Sequence, residues 1–160
     1  SPYLGFDSLS NVMASALENG KGLFVLAATS NPEGKSLQKA DINGVSIAAD
    51  ILNRLEDTNR VNLDPNGSLG NFGAVVGATL NFQSVGIGQI YEDKTMVTPL
   101  LAPGFGAQGA SLNQCAELFG AASKRVIASV SRSVLAAGTT GIENAIESAN
   151  DELAIGLTRG

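Results

Sequence analysis

Short apolar runs alternate along the chain with polar loops and with stretches whose apolar residues recur at helical spacing. The first run, Gly22 to Ala28 (GLFVLAA), is continuous and rich in β-branched and aromatic residues, which predicts a strand buried on both faces. Gly73 to Ala78 (GAVVGA), Thr95 to Leu101 (TMVTPLL) and Arg125 to Val130 (RVIASV) read as three further strands, with Pro99 near the end of the third. Before the first strand, Asp7 is a candidate N-cap for a helix through Asn19, stopped by Gly20, with Val12, Ala16 and Leu17 facing inward. Val45 to Leu55 carries Val45, Ala48, Ala49 and Leu52 at the spacing of a buried helical stripe. Asn59 to Asn71 is polar and holds the turn signal Pro65-Asn66-Gly67. A short helix is predicted around Asn81 to Gly86, a longer one over Ser111 to Phe119, and a last one from Gly141 to about Leu157. The last places Ile142, Ala145, Ile146, Ala149 and Leu153 on one face. Four strands alternating with helices predict a parallel α/β architecture, read as one unit over residues 1–160.

Composition narrows the classes. Hydrophobic residues make up 44% of the 160 and charged residues 16%, a globular balance. The net charge of −5 and the lack of a Lys/Arg run argue against a nucleic-acid surface. No apolar stretch reaches the ~18 residues of a membrane span, so no membrane partner is expected. Cys115 is the single cysteine, which points to a reducing cytoplasm and, among Leu112, Ala116 and Phe119, to a small core residue. With no His in the chain, a Ser-His-Asp triad and a His-based zinc site are excluded within it.

Three strand ends carry candidate chemistry. Pro103-Gly104-Phe105-Gly106-Ala107-Gln108-Gly109 follows the third strand, and its glycines allow a tight turn with N–H groups facing an anion. A ligand-free strand-to-helix turn has the same composition, and GFGAQG is also a weak dinucleotide-type match. Ser131-Arg132 follows the fourth strand, where α/β barrels bind phosphate and where a guanidinium fork suits it. A surface arginine in a loop is the bland alternative. Thr29-Ser30-Asn31-Pro32 follows the first strand; its hydroxyls and amide can read a polar heterocycle, or serve only as a local turn. Glu33, Asp41, Glu56, Asp57, Glu143 and Glu147 read as solvated carboxylates. Lys39-Ala40-Asp41 has no apolar strand before it and does not read as a catalytic pair.

In order, SPYLGFDSL, FVLAATSNPEG, GAVVGAT, LLAPGFGAQGA and VSRSVLAAG resemble the C-terminal half of the orotidine 5′-monophosphate decarboxylase family, in its longer bacterial branch. The resemblance implies a (β/α)8 barrel, of which this chain covers the end of the fourth strand through the eighth helix. It implies a homodimer, no cofactor and no metal, and conversion of orotidine monophosphate to uridine monophosphate and carbon dioxide. It matches Ser30 to a serine that hydrogen-bonds the pyrimidine, Gln108 to a glutamine bridging pyrimidine and phosphate, and Arg132 to the arginine that pairs with the phosphate. Ser131 stands where many members have a glycine whose N–H meets the phosphate. The family's catalytic Asp/Lys/Asp network finds no D-x-K-x-x-D match here, so no catalytic residue is expected in this chain. That network and the missing N-terminal half-barrel are expected upstream of residue 1, since a full barrel takes ~250 residues. A non-catalytic nucleoside-phosphate-binding half-barrel and another phosphate-binding barrel enzyme remain the alternatives.

Overall fold

A computed structural model describes residues 2–158; Ser1, which opens the first motif, and residues 159–160 lie outside the described residues. A 3-10 turn, Phe6–Leu9, leads into α1 (Ser10–Glu18). Then come β1 (Leu23–Ala28), α2 (Lys35–Lys39), β2 (Asp41–Ile42), β3 (Val45–Ser46), α3 (Ile47–Asn62) and β4 (Phe72–Val76). The chain continues through α4 (Gln89–Glu92), β5 (Leu100–Pro103), α5 (Cys115–Phe119), β6 (Val126–Ser129), α6 (Arg132–Leu135) and α7 (Gly138–Leu157). β1, β4, β5 and β6 form one sheet in that order, every pair parallel, as the alternating pattern predicts.

The outer face of the sheet is covered by helices. Val25, Ala27, Phe72, Ala74, Val76, Leu100 and Ala102 pack there with Ile51, Leu52 and Leu55 of α3 and with Phe119 and Cys115 of α5. The other face is a row in register across all four strands: Leu26 opposite Val75, Val75 opposite Leu101, Leu101 opposite Ile127. Phe24 and Leu26 are 45% and 39% exposed, so β1 is buried on one face only, contrary to the two-face expectation. On this inner face the Phe24 ring lies over Gly73, Val75 and Leu101 are half-buried, and Ile127 at the far strand is exposed.

Several boundaries move for identifiable reasons. The third strand starts at Leu100, not Thr95, because the backbone before it bonds to side chains. Val97 and Thr98 give their N–H groups to the Glu56 carboxylate, and the Thr98 carbonyl accepts from Arg125 at 2.7 Å. Pro99 has no N–H, but its carbonyl accepts from Ala74 at 2.9 Å. Glu56 is therefore not solvated: it is 8% exposed, accepts from Thr98 and pairs with Arg60 at 2.8 Å. α3 runs on to Asn62, four residues into the polar stretch that begins at Asn59, because Asn59 faces inward and bonds both backbone groups of Phe72 at 2.7 and 2.9 Å.

α3 begins at Ile47, not Val45, because Ser46 caps it: its hydroxyl accepts from Ala49 N–H at 3.1 Å. The residues before it form an unpredicted hairpin around Asn43 and Gly44, whose φ of 56° and 83° suit a tight turn. Asp7 does not cap α1; it lies in the 3-10 turn and its carboxylate reaches Arg54 at 3.1 Å. Val12 points outward, and Met13 takes the inner place with Ala16. The helix expected at Asn81 to Gly86 is a single 3-10 turn, Gln83–Val85, and only Cys115–Phe119 of the next is α-helical. α7 begins at Gly138, and Ile146 is exposed although Ala149 and Leu153 pack on the core. Cys115 is fully buried, as expected.

Candidate functional site

Because the four strands are parallel, Thr29–Asn31 after β1, Gly77–Leu80 after β4, Gly104–Ala110 after β5 and Ser131 after β6 emerge at one end of the sheet. Two of the predicted residues meet there. Ser30 and Gln108, 78 positions apart by their numbers, line one open cleft of about 360 Å³ with Asn31, Pro32 and Thr79. A neighbouring cavity of about 240 Å³ shares Ser30, Asn31, Pro32 and Thr79 and extends toward Lys35, Gln38 and Asn81.

The glycine loop holds Gln108 in place. Gly104, Gly106 and Gly109 have φ of 121°, 69° and 105°, a region that L side chains avoid. The loop closes on itself: Gly106 N–H donates to the Ala110 carbonyl at 2.8 Å and Gly109 N–H to the Gly106 carbonyl at 2.9 Å. Ala110 N–H donates to the Gly104 carbonyl at 3.2 Å. These three N–H groups are committed to the turn, so an anion would meet other groups of the loop, those of Ala107 and Gln108 among them. A Cβ on Gly104 would stand 3.6 Å from Gln108 Oε1, so the amide lies back over that glycine.

Arg132 is the first residue of α6 and is exposed; it does not line the Ser30–Gln108 cleft. It makes no ion pair among the described residues. Its turn nevertheless packs against the glycine loop, since a Cβ on Gly106 would stand 2.6 Å from Ser133 Oγ. Ser131 is exposed, and its carbonyl accepts from Leu135 N–H at 2.9 Å. The structure thus sets Ser30 and Gln108 on one cleft and Ser131-Arg132 beside the same glycine loop.

Ser30 is placed by groups the sequence did not single out. β1 carries a register shift between Leu26 and Ala28, and its ladder ends where Gly77 N–H bonds the Ala28 carbonyl at 3.0 Å. The next N–H, that of Thr29, donates to Gln38 Oε1 at 3.0 Å. Gln38 is one polar residue in a short helix, and nothing in its local pattern distinguishes it. Among the described residues no group of three His, Cys, Asp or Glu side chains could hold a metal ion. No helix there is long and apolar enough to cross a membrane.

Known proteins resemble this chain in sequence and in fold. A Nocardioides orotidine 5′-phosphate decarboxylase is 46% identical over 136 residues, covering 84% of this chain and 46% of the relative. The enzyme of the same name from Streptomyces coelicolor is 45% identical over 156 residues, covering 97% and 52%. The crystal structure of a Streptomyces avermitilis protein assigned as an orotidine 5′-phosphate decarboxylase superposes with a TM-score of 0.84 at 40% identity. It covers 98% of this chain and 53% of that one. Leishmania donovani UMP synthase gives a TM-score of 0.64 at 30% identity, covering 97% and 32%. The chain spans about half the length of the curated relatives it matches. Residues 1–146 match the model of the orotidine 5′-phosphate decarboxylase / HUMPS family, and the chain belongs to that family, as the five ordered motifs had indicated.

Proposed function

We propose that this chain is the C-terminal half of a single (β/α)8 barrel that decarboxylates orotidine 5′-monophosphate to uridine 5′-monophosphate, and that it supplies the grip on base and phosphate. The observation that carries the reading is the cleft shared by Ser30 and Gln108 at the carboxyl end of the sheet. Ser30 hydrogen-bonds the pyrimidine from the end of β1. Gln108, held over Gly104, donates and accepts between base and phosphate. Arg132 pairs with the phosphate from the first turn of α6, with the backbone at Ser131 beside it. Support for this partition comes from relatives at 40–46% identity that bear the decarboxylase name and extend over about twice this length.

The chemistry itself belongs to an Asp/Lys/Asp network on the other half-barrel. There the carboxylates crowd the substrate carboxylate and the lysine protonates the carbon that loses carbon dioxide. Ser30 and Gln108 are poor acids and Arg132 does not give up its proton, so these three position rather than react. Binding energy from the non-reacting phosphate is then usable at the reacting carbon, and fixing the pyrimidine against the lysine lowers the entropic part of the barrier. The reading includes a cytoplasmic homodimer, and the lone buried Cys115 fits a reducing compartment.

The test is steady-state kinetics on the full-length protein. Ser30→Ala and Arg132→Ala should each lower kcat/KM for orotidine monophosphate by at least tenfold, roughly one charged or geometrically demanding hydrogen bond. A protein that turns over a sugar phosphate but not orotidine monophosphate would overturn the reading.

A further inference from the structure

Gln38 is 3% exposed and sits in α2, on the helical side of the loop that carries Ser30. Its amide is used at both ends on a single residue. Oε1 accepts the Thr29 N–H at 3.0 Å and Nε2 donates to Thr29 Oγ1 at 3.1 Å. This two-point contact begins where the β1–β4 ladder stops, so it takes over the backbone group the sheet leaves unpaired. Two glycines make the room. A Cβ on Gly34 would stand 2.5 Å from Gln38 Nε2, and one on Gly77 would stand 3.3 Å from the Ser30 backbone nitrogen. Gln38 therefore fastens α2 to Thr29, and Gly77 lets Ser30 sit against the end of β4.

We infer that Gln38 is a positioning residue for base recognition: its clamp on Thr29 sets the direction in which Ser30 presents its hydroxyl to the cleft. The inference rests on the reading of Ser30 as the base contact and goes beyond it, because Gln38 acts through Thr29. It lines the adjoining cavity and not the one Ser30 shares with Gln108. A displaced Ser30 would weaken the contact with the pyrimidine and leave the phosphate contacts untouched, since those lie in the loop after β5 and at the start of α6.

The experiment compares uridine monophosphate with ribose 5-phosphate, which lacks the base, in the full-length protein. Gln38→Met keeps the volume and removes both hydrogen bonds. It should weaken uridine monophosphate binding about tenfold, leave ribose 5-phosphate binding unchanged, and speed hydrogen exchange at the Thr29 amide. Gln38→Glu can still accept from the Thr29 N–H and from its hydroxyl, and should recover most of the loss. Thr29→Val removes only the hydroxyl partner and should give a smaller loss with the same selectivity; it decides the matter if Gln38→Met does not fold. Equal loss for both ligands, or none, would overturn the role of Gln38. If the parent protein itself binds ribose 5-phosphate as well as uridine monophosphate, the reading of Ser30 falls and the positioning role falls with it.

Discussion

The carboxylate of Glu56 accepts the backbone N–H of Thr98 at 3.0 Å and the Thr98 hydroxyl at 2.7 Å. A residue of α3 thereby holds the segment that enters β5, at the end of the sheet opposite the cleft. Asn59, one turn further along α3, donates to the same hydroxyl oxygen at 3.1 Å and bonds both backbone groups of Phe72 at the start of β4. Arg125, just ahead of β6, donates to the Thr98 carbonyl. Burial pulls its guanidinium below the usual range, and the charges of Glu56 and Asp93 oppose that. Three strands are thus tied by side chains where their ladders have not yet begun. Glu56→Ala leaves the Val97 and Thr98 N–H groups unpaired, and should destabilise the fold by about 3 kcal/mol, read as a lower urea midpoint. A change within 0.5 kcal/mol would show that water replaces the carboxylate without loss.

Arg132→Ala in the full-length protein should weaken uridine monophosphate by roughly 1.5–3 kcal/mol, the worth of one charged hydrogen-bonded contact. Binding of uridine should be unaffected. Calorimetric titration of the two ligands separates the outcomes: equal weakening would mean that Arg132 does not read the phosphate.

The row Leu26, Val75, Leu101 and Ile127 faces away from the helices, and its two outer members are exposed. In the isolated chain, Ile127→Ser should lower hydrophobic-dye binding and raise solubility. In the full-length protein the same change should cost about 2 kcal/mol of stability, because the side chain enters the barrel core. A neutral result there would place this row outside the core.

Burial pushes the Cys115 thiol up from its ordinary 9.0. The folded state keeps the proton longer than the unfolded chain does. Its contribution to stability is therefore fully present below 9.0 and is lost as the pH rises through the higher folded value. Urea midpoints of the parent should fall more steeply as the pH rises above 9.0 than those of Cys115→Ala, which has no thiol to titrate. Parallel curves would contradict this, as would rapid alkylation of the native protein at neutral pH.

What could be read in advance followed from pattern at full length. Four apolar runs and their glycine-marked ends located the four parallel strands, and with them the loops that carry Ser30, Gln108, Ser131 and Arg132. The misplacements share one physical cause: polar side chains that bond the backbone instead of water. Glu56 and Asn59 look solvated in a helical pattern, yet each replaces missing ladder partners, which shifted the start of β5 and the end of α3. Gln38 was invisible for the same reason, since only the fold brings it to Thr29. Spacing alone puts Val12 and Ile146 inward, because it cannot say how wide a face the neighbouring element covers.

The central claim, that this chain grips the substrate and that its chemistry lies on the other half of the barrel, meets its most direct test in one measurement. Carbon dioxide release from orotidine monophosphate is followed for this chain alone, for an upstream half-barrel bearing the Asp/Lys/Asp network alone, and for the two mixed. The account predicts no turnover by either part and turnover by the mixture, abolished when the upstream lysine is replaced. Appreciable release by this chain alone, or a well-folded mixture that releases none, would contradict it.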